Sequence, residues 1–164
     1  MPIDCDRLNN LYRNLIYYVN PWILLPAIAA AFLGFNFSFF YPFTDNCTFI
    51  IVIFSSITIF AGLSDINRTL NRATYQFYLP KDSFKNIYSQ MLFAQFESAF
   101  IFLLTLFSVL FESYILERYS LLGMAWLSSI NFFSITYSVG LFIDVFNAHN
   151  KTFKFIKELE YGFI

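Results

Sequence analysis

A single carboxylate, Glu97, sits eight residues into an apolar run covering residues 89–111. On a helix rising 1.5 Å per residue that is ~12 Å from the start of the run. An ionised carboxylate at that depth in a bilayer must face protein, water or a counter-charge. Two chemistries suit it. A carboxylate lining a pore favours cations and can gate them, whereas a protonated glutamate can hydrogen-bond neighbouring helices together. Gln95 and Ser98 lie beside it, and Thr105 and Ser108 continue one side of the helix from Ser98. Two further polar stripes recur at helical spacing: Ser55, Thr58, Gly62 and Asp65 in one apolar run, and Ser128, Asn131, Ser134 and Ser138 in another. Glu97, Gln95, Ser98, Ser55, Thr58, Asn131, Ser134 and Ser138 are therefore the pore or gating candidates. Close helix packing is the alternative explanation of either stripe.

Other chemistry is sparse. His149 is the sole histidine, and in a polar segment it reads as a solvated interfacial residue. There is no phosphate-binding glycine loop, nucleophile elbow or metal-ligand spacing, so neither an enzyme, a cofactor nor a metal is expected. Arg68, Arg72, Lys81 and Lys85 form a basic set. Flanking positive charge of this kind sets topology and touches anionic lipid. It also suits a regulatory partner: a sensor protein, a nucleotide or an oligonucleotide.

The elements that must position these residues are apolar helices. Of 164 residues 58% are hydrophobic, 24 are Phe, and the mean hydropathy is +0.58. A soluble domain could not cover so much apolar surface. The expected fold is all-α: a polytopic membrane protein in one domain, residues 1–164, with four transmembrane helices at about 21–41, 47–64, 89–111 and 121–143. A bilayer core ~30 Å thick asks for ~20 residues per helix. Nine of the ten basic residues are Arg7, Arg13, Arg68, Arg72, Lys81, Lys85, Lys151, Lys154 and Lys157, all on one side of that topology; only Arg118 joins Glu112 and Glu117 in the connection on the other. Positive loops stay inside, so both termini and the middle loop are expected in the cytoplasm of a bacterial inner-membrane protein. Cys5 and Cys47 then lie on opposite sides and cannot pair. No cleavable leader is expected.

Two additions complete the plan. Residues 5–19 read as an amphipathic helix at the cytoplasmic interface, with Tyr17 and Tyr18 in the headgroup belt. In the second span Ile59, Leu63, Ile66, Leu70, Ala73 and Phe77 keep helical spacing through the polar segment after Leu63. One long helix is therefore expected to extend into the cytoplasm as far as residue 77, where its apolar seam must pack on something. Pro80 ends it. Residues 144–164 read as a polar cytoplasmic tail.

Residues 58–70 (TIFAGLSDINRTL) take an apolar helix into a basic extension, 96–99 (FESA) place a carboxylate early in the third span, and a polar tail follows the fourth. In these features the chain resembles the small four-span membrane component of the lambdoid Rex phage-exclusion system, a proposed ion channel that depolarises the infected cell. The resemblance implies an anti-phage effector and carries over one residue, Glu97. Residues 79–83 (LPKDS), before the third run and behind an interfacial helix, are similar to the corresponding segment of export-type ABC permease subunits, which usually have six spans. Three functions stand beside each other: an ion-conducting homo-oligomer, with four copies as the starting assumption; a non-conducting anchor recruiting a cytoplasmic partner; and a reduced permease subunit.

Overall fold

The computed structural model describes residues 21–37, 45–77 and 84–162. Every described element is helical. A 3-10 turn, Pro21–Ile23, leads into α1, Leu24–Phe37; α2 is Asp45–Gln76; α3 is a 78-residue helical stretch, Lys85–Gly162. Pro26 falls in the first turn of α1, where the amide proton it lacks has no intrahelical acceptor to lose. The interfacial helix expected at 5–19, the end of the first span after residue 37, Lys81 and the 79–83 segment lie outside the described residues.

α3 cannot be one straight rod. At 1.5 Å per residue 78 residues would reach roughly 117 Å, yet the rings of Phe84 and Phe155 are 6.3 Å apart, edge to face. Tyr137 hydrogen-bonds Glu97. A Cβ placed on Gly123 would fall 2.9 Å from the Ile115 carbonyl oxygen. The chain therefore doubles back between Ile115 and Gly123, and the missing side chain at 123 is what lets the two limbs meet so closely. The outgoing limb contains the apolar stretch Ile87–Glu112 and the returning limb Leu121–Tyr161; with Cys47–Gln76 of α2 they are the three described helices long and apolar enough to cross a membrane. The described part of the first run is shorter, with 14 residues in α1.

The returning limb extends well beyond the boundary expected at residue 143. Its buried positions Leu141, Val145, Ala148, Thr152, Phe155 and Leu159 alternate steps of four and three, a heptad seam that the surrounding Lys and Asn residues hide from a hydropathy reading. The outgoing limb buries Ile87, Met91, Ala94, Ser98, Ile101, Thr105 and Ser108 with the same alternation, and α2 buries Val52, Ser56, Ile59, Leu63, Ile66, Leu70 and Ala73. Three matched heptad seams make a bundle in which side chains of one helix fill the spaces of the next. α2 stays helical past Asp65, as its seam requires, and Ile66 and Leu70 are buried. Phe77 packs at the edge of the same core.

Along this bundle the core changes character. At one end Ile59, Leu63, Ile66, Leu70, Phe84, Ile87, Met91, Leu141, Val145, Phe155 and Leu159 form one hydrophobic cluster, and Arg68, Arg72, Lys151, Lys154 and Lys157 are exposed around it. Burying a ring such as Phe84 there contributes about 1.5–3 kcal/mol. The Tyr88 hydroxyl donates to Asn71 Oδ1 at 2.8 Å and ties the outgoing limb to α2. At the other end the arrangement is reversed. Here Thr48, Ser98, Thr105, Ser108, Ser128, Asn131, Ser134 and Ser138 enter the core among the buried Val52, Ile101, Ala125 and Leu127, while Phe54, Phe96, Phe100, Leu103, Phe107, Leu110 and Trp126 face outward.

α1 packs against the returning limb at this polar-cored end. The Ser129 hydroxyl donates to the Ala31 carbonyl at 2.9 Å, and Phe35 meets Trp126 edge to face at 6.4 Å. Gly34 is the closest point: a Cβ there would lie 2.7 Å from the Ser128 carbonyl oxygen and 2.9 Å from the Phe132 ring. Gly34→Val should push α1 away and cost about 1–3 kcal/mol, read as a lower unfolding temperature in detergent. An unchanged unfolding temperature would mean that α1 does not dock there.

Candidate functional site

Glu97 projects from the outgoing limb into the reversed part of the bundle, half-buried. The Tyr137 hydroxyl, from the returning limb, donates a hydrogen bond to its carboxylate. The second carboxylate oxygen, Oε2, is covered and has no partner among the described residues. Tyr137 is itself held by its neighbour Phe133, whose ring stacks on it at 5.7 Å and 25°.

The hairpin register that pairs Phe84 with Phe155 and Glu97 with Tyr137 sets Ser98 level with Ser138, Thr105 with Asn131 and Ser108 with Ser128. These positions are all buried, so a ladder of small polar groups runs along the interface between the limbs. Threonine and serine behave differently on it. The Thr105 hydroxyl donates to the Ile101 carbonyl of its own helix at 2.9 Å, a local bond that removes its need for a partner. The hydroxyls of Ser98, Ser108, Ser128 and Ser134 make no such bond, and neither does Thr48 on α2; none has a partner among the described residues.

The structure thus gathers Ser98, Asn131, Ser134 and Ser138 into one seam inside a single chain, with Glu97 half-buried beside it. It does not bring Ser55 and Thr58 there. Thr58 is exposed, with its hydroxyl 2.8 Å from the Phe54 carbonyl and 2.9 Å from that of Ser55; Ser55 is half-buried, as is Gln95 beside the outgoing seam. The polar α2 residues that face the core are Ser56 and Thr48. Stepping back by heptads from Ile59 and Leu63 reaches Val52 and Ser56, so phase rather than polarity carried that signal. Tyr137 also escaped the sequence reading, because its role depends on the hairpin register.

At the opposite end His149 Nε2 and Asp65 Oδ2 are 2.7 Å apart and join the returning limb to α2. They border a cleft of about 350 Å³ that also takes in Thr69, Arg72 and Glu160. Arg68 is exposed; Lys85 is the first residue of α3. Among the described residues no three His, Cys, Asp or Glu side chains are grouped to hold a metal ion. In comparisons with known proteins, the chain matches no family model, no curated protein and no solved structure.

Proposed function

We propose that this is a membrane protein that conducts small cations, with protons the best-suited ion, along the polar seam inside each bundle. Glu97 is the group that accepts and passes the charge. The observation that carries this reading is the set of buried hydroxyls without partners among the described residues, together with the unpartnered Oε2 of Glu97, the residue next to Ser98. Hydroxyls that serve as structural glue find partners, since each buried polar group left without one costs about 1–3 kcal/mol. A row of them asks for a mobile occupant able to donate and accept hydrogen bonds. The seam between closely packed limbs is too narrow for a wide aqueous pore, and carboxyl–hydroxyl chains inside membrane helices are the chemistry of proton relays. The candidates face into their own chain, so a homo-oligomer would carry one path per copy.

The reversed core supports the membrane placement. Hydrophobic burial drives packing only in water, while helices in lipid associate through small and polar residues. On this argument the bilayer surrounds the polar-cored half, and the charged half stands in water. Four spans, the number the apolar runs of the sequence suggest, would put both termini and the basic end in the cytoplasm. Cys47 is exposed near the start of α2. A membrane-impermeant maleimide added to intact cells should modify Cys47 and spare Cys5; the opposite pattern would reverse the orientation.

An effector of this kind would depolarise the cell, the role implied by the resemblance to the Rex component. Induced expression should collapse the membrane potential reported by a voltage-sensitive dye, whereas a potential unchanged with the protein inserted would count against conduction. The anchor reading draws on a different observation, the charged stem exposing Arg68, Arg72 and Lys154, and would require capture of a specific cytoplasmic partner by that stem.

A further inference from the structure

Glu97 also borders a cavity. Between the start of α1 and the two limbs of α3 lies a cleft of about 320 Å³, lined by Leu24, Phe96, Phe100, Phe133 and Tyr137 together with the carboxylate. That volume falls in the range of small-molecule sites, ~300–1,000 Å³. Phe96 and Phe100, one helical turn apart, are 68% and 63% exposed, so the mouth of the cleft opens onto the outward apolar surface. Phe133 and Tyr137 form a stacked aromatic wall. Glu97 is the one acidic group in the lining, and the Tyr137 hydroxyl satisfies only one of its oxygens.

We propose that this cleft binds a hydrophobic organic cation, an ammonium or phosphonium centre carrying aryl or alkyl groups, that enters from the apolar surface. Aromatic faces attract cations through their negative π-clouds, and the carboxylate supplies the counter-charge. The terminal torsion of glutamate is broad, so a turn about it presents Oε2 to the ligand. Competing ligand classes fit the lining poorly. A calcium ion needs six to eight oxygen ligands, and one carboxylate and one hydroxyl do not provide them. An anion would meet the carboxylate at close range, and a neutral hydrocarbon would leave it without a partner. The proposal stands apart from conduction, because the cleft can hold a cation whether or not the seam passes charge.

The test is equilibrium binding of radiolabelled tetraphenylphosphonium to the purified protein in phosphatidylglycerol nanodiscs, with no ion gradient imposed. Expressing each affinity relative to that of Glu97→Gln in the same discs cancels partitioning of the probe into lipid. The wild type should bind about tenfold or more tightly than Glu97→Gln, a difference of about 1.4 kcal/mol or more. Phe100→Ala should lose roughly two- to tenfold, and Phe54→Ala, on the exposed face of α2 outside the cleft, should bind as wild type does. Size-exclusion profiles and helical circular dichroism establish that each variant is folded. Repeating the comparison with half the lipid replaced by phosphatidylethanolamine separates two sources of the same chemistry. A preserved ratio assigns the cleft to free amphiphilic cations, and a collapsed ratio assigns it to the amine of a lipid headgroup. Equal binding by wild type and folded Glu97→Gln in the phosphatidylglycerol discs overturns the proposal.

Discussion

Glu97→Gln is expected to lower proton flux through the reconstituted protein by on the order of 10²-fold, the scale at which a positioned acid–base group acts. The amide matches the carboxylate in size, and its carbonyl oxygen can still accept the Tyr137 hydroxyl, so the contact between the limbs survives. What the amide lacks is the ability to take up and release a proton. Insertion, helix content and unfolding temperature should therefore stay near wild-type values while transport is lost. A structural carboxyl predicts a different pattern, in which flux is unaffected and only the unfolding temperature shifts. Tyr137→Phe separates the two roles further. It removes the donor that holds one carboxylate oxygen but leaves the titrating group, so it should reduce flux less than Glu97→Gln does.

Replacing Ser98 and Ser134 together by alanine should make the protein more stable and less conductive at once. Both hydroxyls are buried and neither has a partner among the described residues. Removing such an oxygen while keeping the Cβ lifts a desolvation cost of about 1–3 kcal/mol per group. If the seam is a path, two of its polar stations disappear with those oxygens and flux falls. Stability gained at the expense of activity is the pattern expected where polar groups are kept for function. A double variant that unfolds more readily than wild type would instead assign both serines to hydrogen bonds between helices, and the seam to packing.

Much of this was legible in the chain because two regularities survive in it. Apolar runs of spanning length identified the helices, and the seam through Ile66 and Leu70 carried α2 beyond its polar segment to Gln76. Other features were hidden for physical reasons. The seam from Val145 through Leu159 is narrow and surrounded by lysines, so mean hydropathy reads a polar tail where a helix continues to Gly162. The candidate faces suffered from the reverse problem. Inside a bilayer polarity does not distinguish a core serine from one bonded back to its own helix, and the stripe chosen on α2 ran one residue away from Ser56, which faces inward. Glu97 stood out because a charge in an apolar run has no cheap explanation. Its partner Tyr137 could be found only once the antiparallel register of the two α3 limbs was known, since 40 residues of chain separate them.

The most direct test of the conducting seam is proton entry into proteoliposomes made with the purified wild-type protein alone. A potassium diffusion potential, negative inside, supplies the driving force, and an entrapped pH-sensitive dye gives the readout. Conduction through each bundle predicts acidification that scales with protein density at the lowest protein-to-lipid ratios, where each vesicle holds a single copy, and that is lost in Glu97→Gln. Acidification no faster than in protein-free vesicles, with the protein shown to be folded and inserted, would contradict the account.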